Sequence, residues 1–231
     1  MKSTFISVIM SVHNNEKLLE SSIESILNQS HKNFEFIITD DFSTDKTSKI
    51  LEHYKRLDKR ISIIRNSSNL GLTKSLNNML HISKGEYIAR QDGDDISFTE
   101  RLEYQLKFVK DNNFKVCSAA SINMQTSKKI HYISSFLPKR FVMKFKNPYV
   151  HGTLFIERKT FFDIGLYNEN FIYSQDYELM SRLISKKIKI GYLRKPLYNL
   201  NMKNNISVNF SEKQKYYADC VKNNLIPQKI V

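Results

Sequence analysis

Cysteine, glycine and long apolar runs are all scarce in this sequence, and each scarcity removes a class of function. The two cysteines, Cys117 and Cys220, fit no C-x-x-C or metal-ligand spacing and read as reduced thiols. The six glycines are Gly71, Gly85, Gly93, Gly152, Gly165 and Gly191; none of them builds G-x-G-x-x-G or G-x-x-x-x-G-K-[ST]. A dinucleotide fingerprint and a phosphate loop are both excluded. The six histidines show no H-E-x-x-H or other zinc spacing. No segment approaches the roughly 20 apolar residues that cross a bilayer. The opening MKSTFISVIMSV has no small-residue cleavage site and soon meets His13-Asn14-Asn15-Glu16, so it makes a poor secretory leader. A cytoplasmic protein is expected. No Pro-Gly-rich stretch or long charge block marks a linker, and 231 residues, 41% of them hydrophobic, suffice for a single domain over 1–231.

Acid is missing from one region in particular. The formal net charge is +13, and Asn113 to Ile156 holds no Asp or Glu while carrying Lys128, Lys129, Lys139, Arg140, Lys144 and Lys146. A basic surface attracts nucleic acid, an anionic membrane face or a phosphorylated substrate, and charge alone does not choose among them.

What is present begins with strand–helix alternation. Phe5–Val12 and Phe34–Thr39 are short runs rich in β-branched and aromatic residues, as are Ile61–Arg65 and Glu86–Arg90, and all four read as strands. Between them, helical spacing of apolar residues predicts helices over Glu16–Gln29, Asp45–Leu57, with Ser43 or Thr44 as its cap, and Thr73–Ile82. The pattern implies an α/β fold with a mainly parallel central sheet flanked by helices. Further on, a helix is expected over Phe98–Asp111 and strands over Val116–Ile122 and Gly152–Ile156. A helix over Ser174–Ser185 and a strand over Lys189–Leu193 follow. The tail from Met202 shows no clear tertiary signal.

Open α/β sheets bind ligands beyond the carboxyl ends of their strands. Two strands end in acid here: Asp40-Asp41 after the second, and Asp92-Gly93-Asp94-Asp95 after the fourth. Clustered carboxylates repel unless solvent, a proton or a cation intervenes. Gly93 lets the backbone bend so that Asp92 and Asp94 converge, and hard oxygens of this kind suit Mg²⁺ or Mn²⁺ with positions left for phosphate oxygens. A solvated acidic turn capping the next helix is the alternative use of the same residues.

Six segments resemble, in order, the family-2 glycosyltransferases of GT-A fold: SVIMSVHNNEKLLESSIESILNQS, FIITDDFSTDKT, NLGLTKSLNNML, GEYIARQDGDDIS, HGTLFIERKTFFDIGLYNENF and SQDYELMSRL. The match runs from about Ile6 to Leu193. The resemblance implies a nucleotide-sugar-binding half over about 1–95, an acceptor-side half over about 96–200 and a C-terminal tail over 201–231. It implies that Asp41, with Asp40 beside it, reads the pyrimidine of a UDP-sugar, and that Asp94 is the principal ligand of Mn²⁺ or Mg²⁺. Asp92 then lies nearer the ribose or metal-bound water, with Asp95 adjacent. Asp176 matches the general base of inverting members, since an acceptor hydroxyl needs a carboxylate to take its proton as it attacks. The expected activity is sugar transfer to a glycan or lipid-linked acceptor in surface-polysaccharide or lipopolysaccharide synthesis.

The sequence departs from the family where His13 replaces a common aromatic and Gln175 precedes Asp176 in place of Glu. His13 can stack on the base, or serve as a satisfied loop histidine. Lys74 is a candidate for the donor phosphates, with a solvated helix face as its alternative. On the acceptor side, Arg101 can salt-bridge the metal loop or pair with Glu100 or Glu103, and His151 opens an expected strand. The segment Phe136–Lys146 interleaves Phe136, Leu137, Phe141, Val142 and Phe145 with basic residues. It suits either a peripheral contact with an anionic membrane or a half-buried connection. Two other readings are a silent sugar-nucleotide-binding module and a nucleic-acid-binding protein. No recognised nucleic-acid motif is present, and no nucleic-acid partner is expected.

Overall fold

The computed structural model describes residues 3–130, 137–203 and 211–228, without the side chain of Arg140. Strands β1 (Ile6–Val12), β2 (Phe34–Asp40) and β3 (Ile61–Arg65) pair in parallel, with Val12 opposite Asp40 and Phe36 opposite Ile61. Helices α1 (Leu19–Leu27) and α2 (Thr47–Leu57) make the first two crossovers. After α3 (Leu72–Ile82) the chain returns to the other flank of β1 as β4 (Tyr87–Arg90), with Ile9 opposite Arg90. That reversal of winding opens a crevice past the carboxyl ends of β1 and β4, where doubly wound sheets take their ligands.

The chain continues through β5 (Ile96–Ser97), α4 (Arg101–Asp111), β6 (Val116–Asn123) and a short helix α5 (Lys139–Val142). Then come β7 (Phe155–Glu157), α6 (Arg158–Ile164), α7 (Gln175–Ser185), β8 (Ile190–Leu200) and α8 (Ser211–Lys222). The sheet order is β3-β2-β1-β4-β7-β6-β8-β5. It is parallel as far as β4 and then mixed, because β7 enters antiparallel to both β4 and β6.

Residue alternation along the strands splits the core by face. Ile9, Ile37 and Ile88 pack with Leu76, Met79 and Leu80 of α3 and with Leu179, Met180 and Leu183 of α7. Val8, Met10, Phe36 and Ile38 point the other way, onto Leu19, Ile23 and Ile26 of α1 and Leu51 of α2.

Several elements differ from their sequence reading. β8 does not stop at Leu193 but runs to Leu200, because register shifts on either side of Ala120 absorb Pro196 without ending the β6–β8 ladder. The tail forms α8, which buries Tyr217, Cys220 and Val221 in the α3–α7 core. Neither Ser43 nor Thr44 caps α2. Asp45 Oδ1 accepts from the Thr47 N–H at 2.9 Å, while Ser43 and Thr44 bond Asn14. Gly152 lies in a 3₁₀ turn, His151–Thr153, ahead of β7, where the Tyr198 hydroxyl would sit 2.3 Å from any Cβ at that position.

Candidate active site

A cleft of about 1740 Å³ opens on the carboxyl ends of β1 and β4 and extends to α7 and α8. His13, Asp41, Asp92, Asp94, Asp95, His151 and Asp176 all line it. Asp40, Lys74 and Arg101 do not, and the reasons are local.

The loop 91–95 is held from below. Gly93 is required by close approach: a Cβ there would lie 2.4 Å from Val12 Cγ1 and 2.7 Å from Asn15 Nδ2. The Asp92 N–H donates to the Tyr198 hydroxyl at 3.0 Å, and that hydroxyl bonds the Asp95 carboxylate. Asp95 is 1% exposed and its Oδ1 accepts from the Asn201 N–H at 2.6 Å, so it braces the loop from beneath. Burial, and then the charges of Asp92 and Asp94, push its carboxyl well above the usual carboxylate range. Asp94 Oδ2 accepts from Asn201 Nδ2 at 3.2 Å; burial first and the Asp92 charge second raise it to about 6. Sequence reading passed over Tyr198 and Asn201 because it ended the last strand before them.

Arg101 is the clearest correction. It makes no ion pair with the loop acids, Glu100 or Glu103; it is fully buried under α4 and donates to the Arg90 carbonyl at 2.5 Å and the Gly152 carbonyl at 3.2 Å. Further bonds to Gln91 Oε1 and Ser97 Oγ make it a structural tie beneath the cleft floor. Burial lowers its pKa to about 10, so it keeps its charge at neutral pH.

Asp41 and Asp40 divide their work. Asp41 Oδ1 accepts from the Leu70 N–H and Asn66 Nδ2, each at 2.8 Å, and Oδ2 accepts from the Gly71 N–H at 2.8 Å. Gly71 holds φ +83°, a backbone region in which a side chain is strained. Asp41 therefore clamps the 66–71 rim while facing the cleft. Asp40 turns away, accepting from the Ser43 N–H and the Ser48 hydroxyl. His13 stands exposed at the rim. Its Nδ1 bonds the Asp41 carbonyl at 2.8 Å and its Nε2 the Asn14 amide Nδ2 at 3.2 Å. Lys74 is exposed on α3, outside the cleft.

Across the cleft, Asp176 lies in the first turn of α7 and accepts from Asn147 Nδ2 at 2.7 Å. Burial raises its pKa, opposed by that hydrogen bond and by backbone N–H groups. The preceding turn depends on Ser174, whose φ of +52° is stabilised by its hydroxyl donating to the Gln214 carbonyl of α8 at 3.1 Å. His151 Nε2 bonds the Tyr167 hydroxyl at 2.7 Å; burial, then the Arg90 charge, hold the ring neutral.

Among the described residues, no group of three or more His, Cys, Asp or Glu side chains converges to hold a metal by itself. Two partly buried carboxylates, Asp92 and Asp94, line the cleft one residue apart, and Asp94 is raised by burial first and by the Asp92 charge second. That donor set fits a Mg²⁺-like ion held by one or two carboxylates together with phosphate oxygens and water.

The family model described as Glycosyl transferase family 2 matches residues 7–166. EpsE of Bacillus subtilis, named as a glycosyltransferase, is 40% identical over 159 residues, 68% of this chain and 57% of its own length. MJ1057 of Methanocaldococcus jannaschii, named an uncharacterized glycosyltransferase, is 33% identical over 94% of this chain and 78% of its own. TuaG of B. subtilis, named for teichuronic acid biosynthesis, is 37% identical over 47% of this chain and 43% of its own. The chain thus spans little more than half of EpsE and less than half of TuaG. In structure it is similar to S. aureus TarS 1–349 in complex with UDP, with TM-score 0.70 and 20% identity, covering 96% of this chain and 67% of that one. It is similar also to the mannosyltransferase PcManGT from Pyrobaculum calidifontis in complex with GDP-Man and Mn²⁺. There the TM-score is 0.75 at 15% identity, over 96% of this chain and 65% of that one. At these identities the likeness is one of fold.

Proposed function

This chain belongs to glycosyl transferase family 2, and on that premise we propose that it transfers a sugar, with inversion, from a nucleoside-diphosphate donor to a glycan or lipid-linked acceptor. The observation that carries the reading is the opposition of Asp92 and Asp94 to Asp176 across one cleft. A UDP-sugar is the donor we favour. Asp41 uses three of roughly four lone-pair positions on the rim, which leaves Oδ2 free to accept the N–H of a uracil. His13 offers a ring face at the same rim.

Asp94 and Asp92 would hold Mn²⁺ or Mg²⁺, which supplies charge neutralisation for the departing diphosphate. Asp176 takes the proton of the acceptor hydroxyl as its oxygen bonds to the anomeric carbon. The bond from that carbon to the phosphate oxygen breaks in the same displacement, and its electron pair leaves with the nucleoside diphosphate. Asn147 fixes the base, and neutral His151 avoids a competing charge beside it. The half over about 1–95 would bind the donor and that over about 96–200 the acceptor. TuaG's name points to a surface glycan as the acceptor class.

Among the described residues no helix is long and apolar enough to cross a membrane. A peripheral contact on the cytoplasmic face is the arrangement we favour. Leu137, Phe141 and Phe145 are 46%, 53% and 62% exposed, beside exposed Lys144 and Lys146. Phe145 and Lys146 also line the cleft. Phe136 and the Arg140 side chain lie outside the described residues. Sedimentation should show binding to anionic vesicles and little to neutral ones; equal binding to both, or none, removes the membrane contact. The transfer itself is tested with a UDP-sugar panel and a glycan acceptor. Release of nucleoside diphosphate with an inverted linkage supports the reading; pyrophosphate release or a retained anomer contradicts it.

A further inference from the structure

Arg90 ends β4 directly behind two core residues, Ile88 and Ala89, and is itself 1% exposed. Its backbone is fully used, the N–H donating to the Leu154 carbonyl and the carbonyl accepting from Arg101. Its guanidinium is not. Nη1 is ion-paired with Asp92 Oδ1 at 2.6 Å, and Nε meets no acceptor among the described residues. Buried donors without acceptors are rare, because the hydration they lose is returned only by a hydrogen bond. Arg90 nevertheless lines the same cleft as Asp92, Asp94 and Asp176.

Resting on the functional reading above, we infer that Arg90 is a built-in cation of the donor site that exchanges partners on loading. Without ligand it neutralises Asp92. When a divalent cation takes over the charge of Asp92, the guanidinium turns its unmatched N–H groups to an oxygen of the sugar-proximal phosphate. It then stabilises the charge that grows on that group as the glycosidic bond breaks. The exchange is one of hydrogen bonds and charge alone.

Two opposite signs follow for Arg90→Met. Losing the competitor for Asp92 tightens Mn²⁺ binding in the absence of nucleotide. Losing the phosphate partner weakens UDP by about 10- to 100-fold, the worth of one hydrogen bond to a charged group, and weakens UMP much less. Calorimetry with MnCl₂ alone, then with UDP and UMP in Mn²⁺ and in EDTA, reads both. Arg90→Lys keeps the charge and the fold, and should fall between wild type and Arg90→Met for UDP. A structural role alone would move Mn²⁺ and UDP in the same direction. Unchanged UDP affinity in both variants, or equal losses for UMP and UDP, overturns the inference. Failure of wild type itself to bind UDP would instead strike the functional reading. If Arg90→Met does not fold, Arg90→Lys decides: weakened UDP with UMP little changed supports the inference, and wild-type-like UDP binding overturns it.

Discussion

Asp41 allows the account to be tested at a single carboxylate. Changing it to Asn keeps Oδ1 in place for the Leu70 N–H and Asn66, but sets an NH₂ against the Gly71 N–H, donor facing donor. One charge-assisted bond disappears, the other two lose their charge, and the Gly71 N–H keeps only Asn69 Oδ1 at 3.1 Å. Bonds to charged groups contribute about 1.5–3 kcal/mol each, and the amide that replaces one acceptor also opposes the Gly71 N–H. The donors are partly shared with water at the rim, so a loss of about 2–4 kcal/mol is expected. For a chain of this size that lowers Tm by roughly 5–15 °C. Thermal unfolding gives the global figure, and hydrogen exchange at the Leu70 and Gly71 amides gives the local one. Both amides should lose protection ahead of β1 and β2. If their exchange is unchanged and Tm stays within a degree or so, the clamp assigned to Asp41 is wrong.

Gly93→Ala should cost about 1–3 kcal/mol through overpacking against Val12 and Asn15; it should weaken UDP binding as well, which thermal unfolding and calorimetry would show together. Tyr198→Phe strands the Asp92 N–H and removes a donor from Asp95, so a loss of about 1–3 kcal/mol is expected by chemical denaturation. Asp176→Asn should reduce kcat about 10²- to 10⁴-fold while leaving donor affinity intact. A base must be ionised to work, and burial raises the Asp176 pKa, so wild-type activity falls as pH drops through a value above that of an ordinary aspartate. A raised carboxyl makes its contribution to stability below the unfolded pKa and loses it as pH rises through the folded one. Asp176→Asn should therefore not lower Tm at neutral pH, and a large drop would count against a desolvated carboxylate.

The N-terminal half was legible because its signals are local. FISVIMSV, FEFIIT and the acids after FEFIIT and YIAR depend on residues adjacent in sequence, and the switch point follows from chain order. What could not be read depends on partners far along the chain. Tyr198 and Asn201 reach the acidic loop from the end of a strand that Pro196 disguised. α8 carries few apolar positions, yet its Gln214 holds the turn before Asp176. Arg101 has Glu100 and Glu103 as sequence neighbours, and local charge patterning favoured them over the carbonyls that its burial selects. Arg90 did leave a signal: an arginine closing an apolar strand immediately before an acidic loop has no solvent to turn to.

The central claim, a metal-assisted diphosphate site at Asp92 and Asp94, is tested most directly by titrating UDP into wild type and Asp94→Asn, with Mn²⁺ and with EDTA. The account predicts that Mn²⁺ tightens binding to wild type and that Asp94→Asn loses this increment. Equal affinity with and without metal in both proteins, or no binding of a nucleoside diphosphate under any condition, would contradict it.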